Sequence, residues 1–200
     1  VTSRKWVHLF WTTLVLGGAL TLLTSFVVKA DAYAQVLQPF DFFELIGLLL
    51  FFSGLGFIFS IISQMGFFAY LTVHQFGLGM FKGLWPAIQV FLIVFTLFDL
   101  VYFRYQAAGE GASLWPYLLT AFALLAVSYV VAHIKRKETN SKAFVPALFF
   151  MVVVTTVEWV PALQSEGQVY VWLMIIPLLA CNAYQLLLLH RLNNKEPKRK

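Results

Sequence analysis

Charge is scarce in this chain. Asp, Glu, Lys and Arg make up 12% of its 200 residues, about half the roughly 25% usual in soluble domains. Hydrophobic residues account for 60%, and the mean hydropathy is +0.81, which excludes a soluble globular domain and describes a polytopic membrane protein. Cysteine is nearly absent. Cys181 stands alone in an apolar stretch, so no internal disulfide can form and the thiol reads as a small core residue. Catalytic signatures are missing as well: no His-Glu-x-x-His, no Gly-x-Ser-x-Gly, no phosphate-binding glycine loop and no Cys-x-x-Cys occurs, which disfavours an enzyme. No two of His8, His74, His133 and His190 have the i, i+4 spacing of a helical metal site. Neither a metal nor a cofactor is expected.

What the chain does have is long apolar runs, punctuated by cations. The net charge of +5 does not imply nucleic acid, because the basic residues sit in loops and at the two ends, where they mark the cytoplasmic leaflet. The first apolar run, residues 7–28, exceeds the about 7 to 15 residues of a secretory signal's core and is expected to be a retained crossing. Further crossings are expected at about 42–62, 84–103, 114–134, 143–160 and 169–190. Pro86 and Pro146 fall in early helical turns, and Pro177 interrupts the last helix.

Residues 64–83 decide the threading. The apolar run from Phe42 to Phe103 is long enough for three helices of about 20 residues, yet a crossing at 64–83 would place Lys135–Lys142 and the tail opposite Arg4 and Lys5. Charge decides against it. This segment is expected to enter or lie on the cytoplasmic face without crossing, with Tyr70, His74 and Lys82 at the headgroups and Gly66, Gly77, Gly79 and Gly83 loosening it. The expected fold is therefore an all-α integral membrane protein of six transmembrane helices. Both termini lie inside, and a single membrane domain, 1–192, is followed by a basic tail, 193–200. Twelve of the fourteen Lys and Arg residues then lie in the cytoplasm, with Lys29 and Arg104 outside.

Small residues line two helix faces, Thr13, Gly17, Thr21 and Thr24 on the first and Ser53, Gly56, Ser60 and Ser63 on the second, as close helix contact in lipid requires. Intramembrane ionisable groups are the other candidates for function. Asp99, five residues before Arg104, is expected to pair with it or to form a polar site with Glu158, Thr155 and Glu44. Cys181, Asn182 and Gln185 share a face of the last helix and are expected to hydrogen-bond across helices. A partner surface is expected at the cytoplasmic leaflet, at Gly77, Gly79, Lys82, Lys135, Arg136 and Lys137.

Several stretches together resemble one known family. They are Ser63-Gln-Met-Gly-Phe-Phe68 through Val73-His-Gln-Phe-Gly-Leu-Gly79, Leu97-Phe-Asp-Leu-Val-Tyr102, Thr139-Asn-Ser-Lys-Ala-Phe-Val-Pro-Ala-Leu-Phe-Phe150, Glu158-Trp-Val-Pro161 and Pro177-Leu-Leu-Ala-Cys-Asn-Ala-Tyr184. In order along essentially the whole chain, they resemble the KinB-signalling pathway activation family, KbaA. The resemblance implies a multi-pass inner-membrane protein of endospore-forming bacteria, needed for a membrane-bound sensor histidine kinase to feed the sporulation phosphorelay. It implies no catalytic residues. From the residues alone, a small transporter or ligand-binding membrane protein using Asp99 and Glu158 stands as the alternative.

The topology is directly testable. With Cys181 replaced by Ala, single cysteines placed at Glu110 and Gly167 are expected to react with an impermeant thiol reagent in intact cells, and those at Thr139 and Asn194 to stay unlabelled. Labelling at Thr139 overturns the orientation.

Overall fold

A computed structural model describes residues 3–38, 40–109, 111–163 and 168–194. Glu110, Gly167 and the basic tail from residue 195 onward lie outside the described residues. Every described element is helical: α1 (Ser3–Val28), α2 (Ala30–Leu37), α3 (Phe42–Phe81), α4 (Trp85–Ala107), α5 (Trp115–Glu138), α6 (Phe144–Phe149), α7 (Thr155–Leu163) and α8 (Gln168–Asn194). A 3-10 turn, Ser141–Ala143, leads into α6, and a π-helical turn, Phe150–Val154, joins α6 to α7. Among the described residues, five helical runs are long and apolar enough to cross a membrane, and one of them, Phe42–Ala107, is 66 residues long. Lipid offers no partner to a bare N–H or C=O, so apolar chain of this kind satisfies its backbone as helix.

The largest departure from expectation is in α3. No break follows Ile62, and the segment 64–83 is not a separate element: the helix runs on for 40 residues to Phe81, about 60 Å at 1.5 Å per residue. Gly66, Gly77 and Gly79 do not stop it, because in an apolar setting unwinding would strand more backbone than the glycines' conformational freedom is worth. The stop comes at Lys82–Leu84, a 3-10 turn in which Lys82 adopts φ +45°, a left-handed conformation unusual outside glycine. The expected start of the next helix at Trp85-Pro86 is correct, with Pro86 in the first turn of α4. A second departure is α2, which occupies the expected loop between Lys29 and Asp41. Asp41 then caps α3, its Oδ1 accepting from Phe43 N at 2.9 Å and Glu44 N at 3.1 Å. Helix α8 continues through Pro177.

The chain divides into two compact units, Val1–Gly66 with Glu158–Lys200, and Phe67–Val157. In the first, α1 packs along α8, and the two small-residue faces meet. A Cβ on Gly56 would come within 2.6 Å of Gly17 O and 2.7 Å of Gly18 Cα, and one on Gly17 within 2.7 Å of Ser60 Cβ. Tyr33 of α2, Phe52 and Leu173 form a buried core above this seam, and the Tyr33 hydroxyl hydrogen-bonds Ser25 Oγ at 2.7 Å.

In the second unit α3 and α4 form a hairpin. Trp85 stacks on Phe81, covers Gly77, where a Cβ would lie 2.4 Å from the indole, and donates from Nε1 to His74 Nδ1 at 3.0 Å. Tyr70 donates to Pro146 O at 3.2 Å, and Phe67 packs on Phe150. Tyr70 is buried and His74 half-buried, so both face protein, where headgroup contacts had been expected. Tyr70 packs on Phe149 and Phe150, and His74 on Trp85.

Replacement of Gly56 tests the seam. Gly56→Val drives a side chain into backbone and is expected to cost about 1–3 kcal/mol, whereas Gly54→Val, with nothing within 4 Å, is expected to stay within about 0.5 kcal/mol of wild type. Unfolding by SDS titration in mixed micelles measures both.

Candidate functional site

The first unit buries a set of polar side chains drawn from four helices. Glu158 comes from α7, Asn182 and Gln185 from α8, Ser60, Ser63 and Gln64 from α3, and Thr13 from α1, and none is more than 7% exposed. Helical spacing aligns them: Ser60, Ser63 and Gln64 share one face of α3, as Asn182 and Gln185 share one face of α8.

The hydrogen bonds run in one direction. Gln185 Nε2 donates to Ser63 Oγ at 2.7 Å, the Ser63 hydroxyl donates to Asn182 Oδ1 at 2.6 Å, and Asn182 Nδ2 donates to Glu158 Oε2 at 2.7 Å. Asn182 thus bridges α3 and α7, accepting from Ser63 at Oδ1 and donating to Glu158 from Nδ2. Ser60 Oγ donates to Thr13 O at 2.8 Å, tying α3 to α1. Cys181 lies beside this contact, its Sγ 3.8 Å from Thr13 O. Glu158 Oε1 is buried without a hydrogen-bond partner. On the next residue, Trp159 Nε1 donates to Val171 O at 3.0 Å, which fixes α7 against the first turns of α8. Trp159 is 1% exposed and is a core residue, although a tryptophan near a helix end commonly anchors at the membrane surface.

The other expected site residues fall elsewhere. Glu44 is exposed in the first turn of α3, away from the hydrogen bonds of Glu158. Asp99 is half-buried on α4 in the second unit. Arg104 is five residues on, one too many for a helical pair, and its guanidinium lies over the Tyr117 ring at 5.3 Å. Gly77 is buried under Trp85 while Gly79 is open. Lys82 lies in the hairpin turn, and Lys135, Arg136 and Lys137 form the last turn of α5, with Arg136 and Lys137 exposed. Asn140 Oδ1 accepts from Lys142 N at 2.9 Å, which makes Asn140 the cap of the following helix.

The set offers hydrogen bonds and one carboxyl group. Among the described residues no three His, Cys, Asp or Glu side chains are grouped to hold a metal ion. The hydrogen bonds of Cys181 and Glu158 supply no base to a nucleophile. What the arrangement does is join α3, α7 and α8 through directional contacts in a setting where each is costly to break.

The comparisons with known proteins agree with one another. A family model described as "KbaA: KinB-signalling pathway activation in sporulation" matches residues 17–192. The chain belongs to this family. The KinB-signaling pathway activation protein of Bacillus subtilis (strain 168) is 42% identical over 190 residues, 94% of this chain and 96% of that protein. No solved structure matches. The part of the chain that matches the KbaA model takes in Ser60, Ser63, Glu158, Asn182 and Gln185, with Thr13 just outside it.

Removing one partner of a buried polar pair is worse than removing both. Asn182→Leu, which leaves Glu158 with no donor, is expected to cost on the order of 3 kcal/mol, and adding Glu158→Leu to recover part of that loss. The coupling energy from an SDS-unfolding double-mutant cycle measures this. Additive losses would show that the pair is not coupled.

Proposed function

We propose that this chain is a non-enzymatic, multi-pass cell-membrane regulator that activates a KinB-type sensor histidine kinase feeding the sporulation phosphorelay. The observation that carries this reading is the family match, together with a relative of that printed name that is alike from end to end. The buried set is consistent with it, being built from hydrogen bonds that hold helices together and lacking a paired nucleophile and base. On this reading α1, α3, α4, α5, the 141–163 helix and α8 are the six crossings, and both termini face the cytoplasm, where most of the cations gather.

The partner surface lies on the cytoplasmic side, at the hairpin and the end of α5. Gly79, Lys82, Arg136 and Lys137 are exposed there, Lys135 belongs to the same turn, and Val73, Phe76 and Met80 offer apolar area beside them. Gly77 supports this surface from below by admitting Trp85. A kinase's membrane helix would approach closely at Gly79, with acidic residues of its cytoplasmic portion facing Arg136 and Lys137.

A second reading, a small ligand-binding or transport protein using Asp99 and Glu158, is favoured by the unpartnered Oε1 of Glu158. One set of strains separates the two. The chain is expressed in Bacillus subtilis lacking its KinB-signaling pathway activation protein, and sporulation frequency is measured with protein abundance. Complementation is expected, with Gly79→Leu lowering sporulation at least tenfold at normal abundance and Gly77→Leu lowering both together. Normal sporulation from Gly79→Leu moves the contact elsewhere. Normal sporulation from Glu158→Gln with Asp99→Asn removes the transport reading.

A further inference from the structure

Among the described residues Glu158 is the one Asp, Glu, Lys, Arg or His side chain that is buried, at 7% exposed. All the others reach the surface at least in part. A carboxylate in such a place needs a cation beside it, or several N–H donors, to hold its charge. Glu158 has neither. Asn182 Nδ2 reaches Oε2 at 2.7 Å, and Oε1, itself buried, has no hydrogen-bond partner.

The neighbouring helices do not make up the shortage. What α1, α3 and α8 bury in this set are hydroxyls and amides, which carry no charge at neutral pH. The one further titratable group is the Cys181 thiol, placed beside Thr13 O. A thiol is neutral or negative and never positive, so it cannot balance a carboxylate. Oε1 is therefore left bare in one of two forms, as an anionic oxygen or as a hydroxyl. The first forfeits the hydration of a full charge, whereas the second forfeits only that of one O–H group. That difference selects the acid. Asn182 suits it too, because the carbonyl-like Oε2 of a neutral acid is satisfied by the single amide donor it is offered.

We propose that Glu158 is a proton-binding site, carried by the folded chain at neutral pH as an uncharged acid with its proton on Oε1. The inference rests on the buried set alone and is independent of which partner the chain activates. It puts a chemical condition on the junction of α3, α7 and α8. Opening the junction hydrates the carboxyl group, which then ionises as an ordinary glutamate does and gives its proton to water. Closing it takes one proton back, so the junction is tightened by acid and loosened by base.

The test is an infrared spectrum of the full chain in detergent at neutral pH, with glutamate isotopically labelled at the side-chain carboxyl carbon. Wild type is expected to show the C=O stretch of one carboxylic acid, shifted by the label, and Glu158→Gln to lack it. A wild-type spectrum with carboxylate bands alone overturns the proposal, as does an acid band that survives in Glu158→Gln. Unfolding by SDS gives a second readout, which a merely structural role would not move. Between about pH 7 and 8, the unfolding constant of wild type is expected to rise more steeply than that of Glu158→Gln, by about tenfold per pH unit. Equal slopes overturn the proposal. If Glu158→Gln does not fold, the labelled band of wild type decides by itself.

Discussion

Lipid supplies no hydrogen bonds, and from that constraint the rest of this structure follows. It explains why α3 stays helical across residues where glycines would loosen a chain in water, and why Thr12, Thr13 and Thr24 each return a hydroxyl proton to a carbonyl of their own helix. It also governs the set around Glu158. A serine, an asparagine and a glutamine would be dispersed and hydrated on a soluble protein. Here each of them finds its partner on another helix, and all the donors point toward the one carboxyl group.

Those contacts demand proximity, and small residues provide it. Gly17 and Gly56 bring α1 and α3 to backbone contact, which is what lets the short side chain of Ser60 reach Thr13 O. One turn further along α3, Ser63 is placed in the same way against α8. Packing and hydrogen bonding are therefore not separate contributions along this seam. The glycines set the distance at which short side chains can bond, and in lipid the packing itself is the main attraction between helices.

Much of this was legible in the sequence. The helical class, the starts of α4 and α5, the small-residue faces of α1 and α3 and the polar face of α8 all follow from hydropathy and 3.6-residue periodicity. The break after Ile62 was not correct, because glycine spacing and the charge rule say where a chain prefers to sit relative to lipid, and neither says where a helix ends. α2 was missed since eight residues carry too few turns for a periodic signal. The site itself could not be assembled from one sequence. Each face was visible, but which face meets which is a pairing between distant segments. Glu158, grouped by sequence with Asp99 and Glu44, instead meets Asn182 and Ser63. Trp159 shows the same limit: tryptophan near a helix end reads as a membrane-surface anchor, and only the carbonyl of Val171 reveals it as core.

The contact between Trp85 and His74 carries a chemical consequence of its own. An indole N–H can only donate, so the Nδ1 atom that receives it at 3.0 Å must present a lone pair, and the imidazole proton resides on Nε2. The hairpin thus selects one tautomer of His74 through a tryptophan eleven residues away. A histidinium at this position would set two N–H groups face to face, and the indole that covers Gly77 would lose its anchor. The fold of the turn and the protonation state of one ring are in this way a single condition.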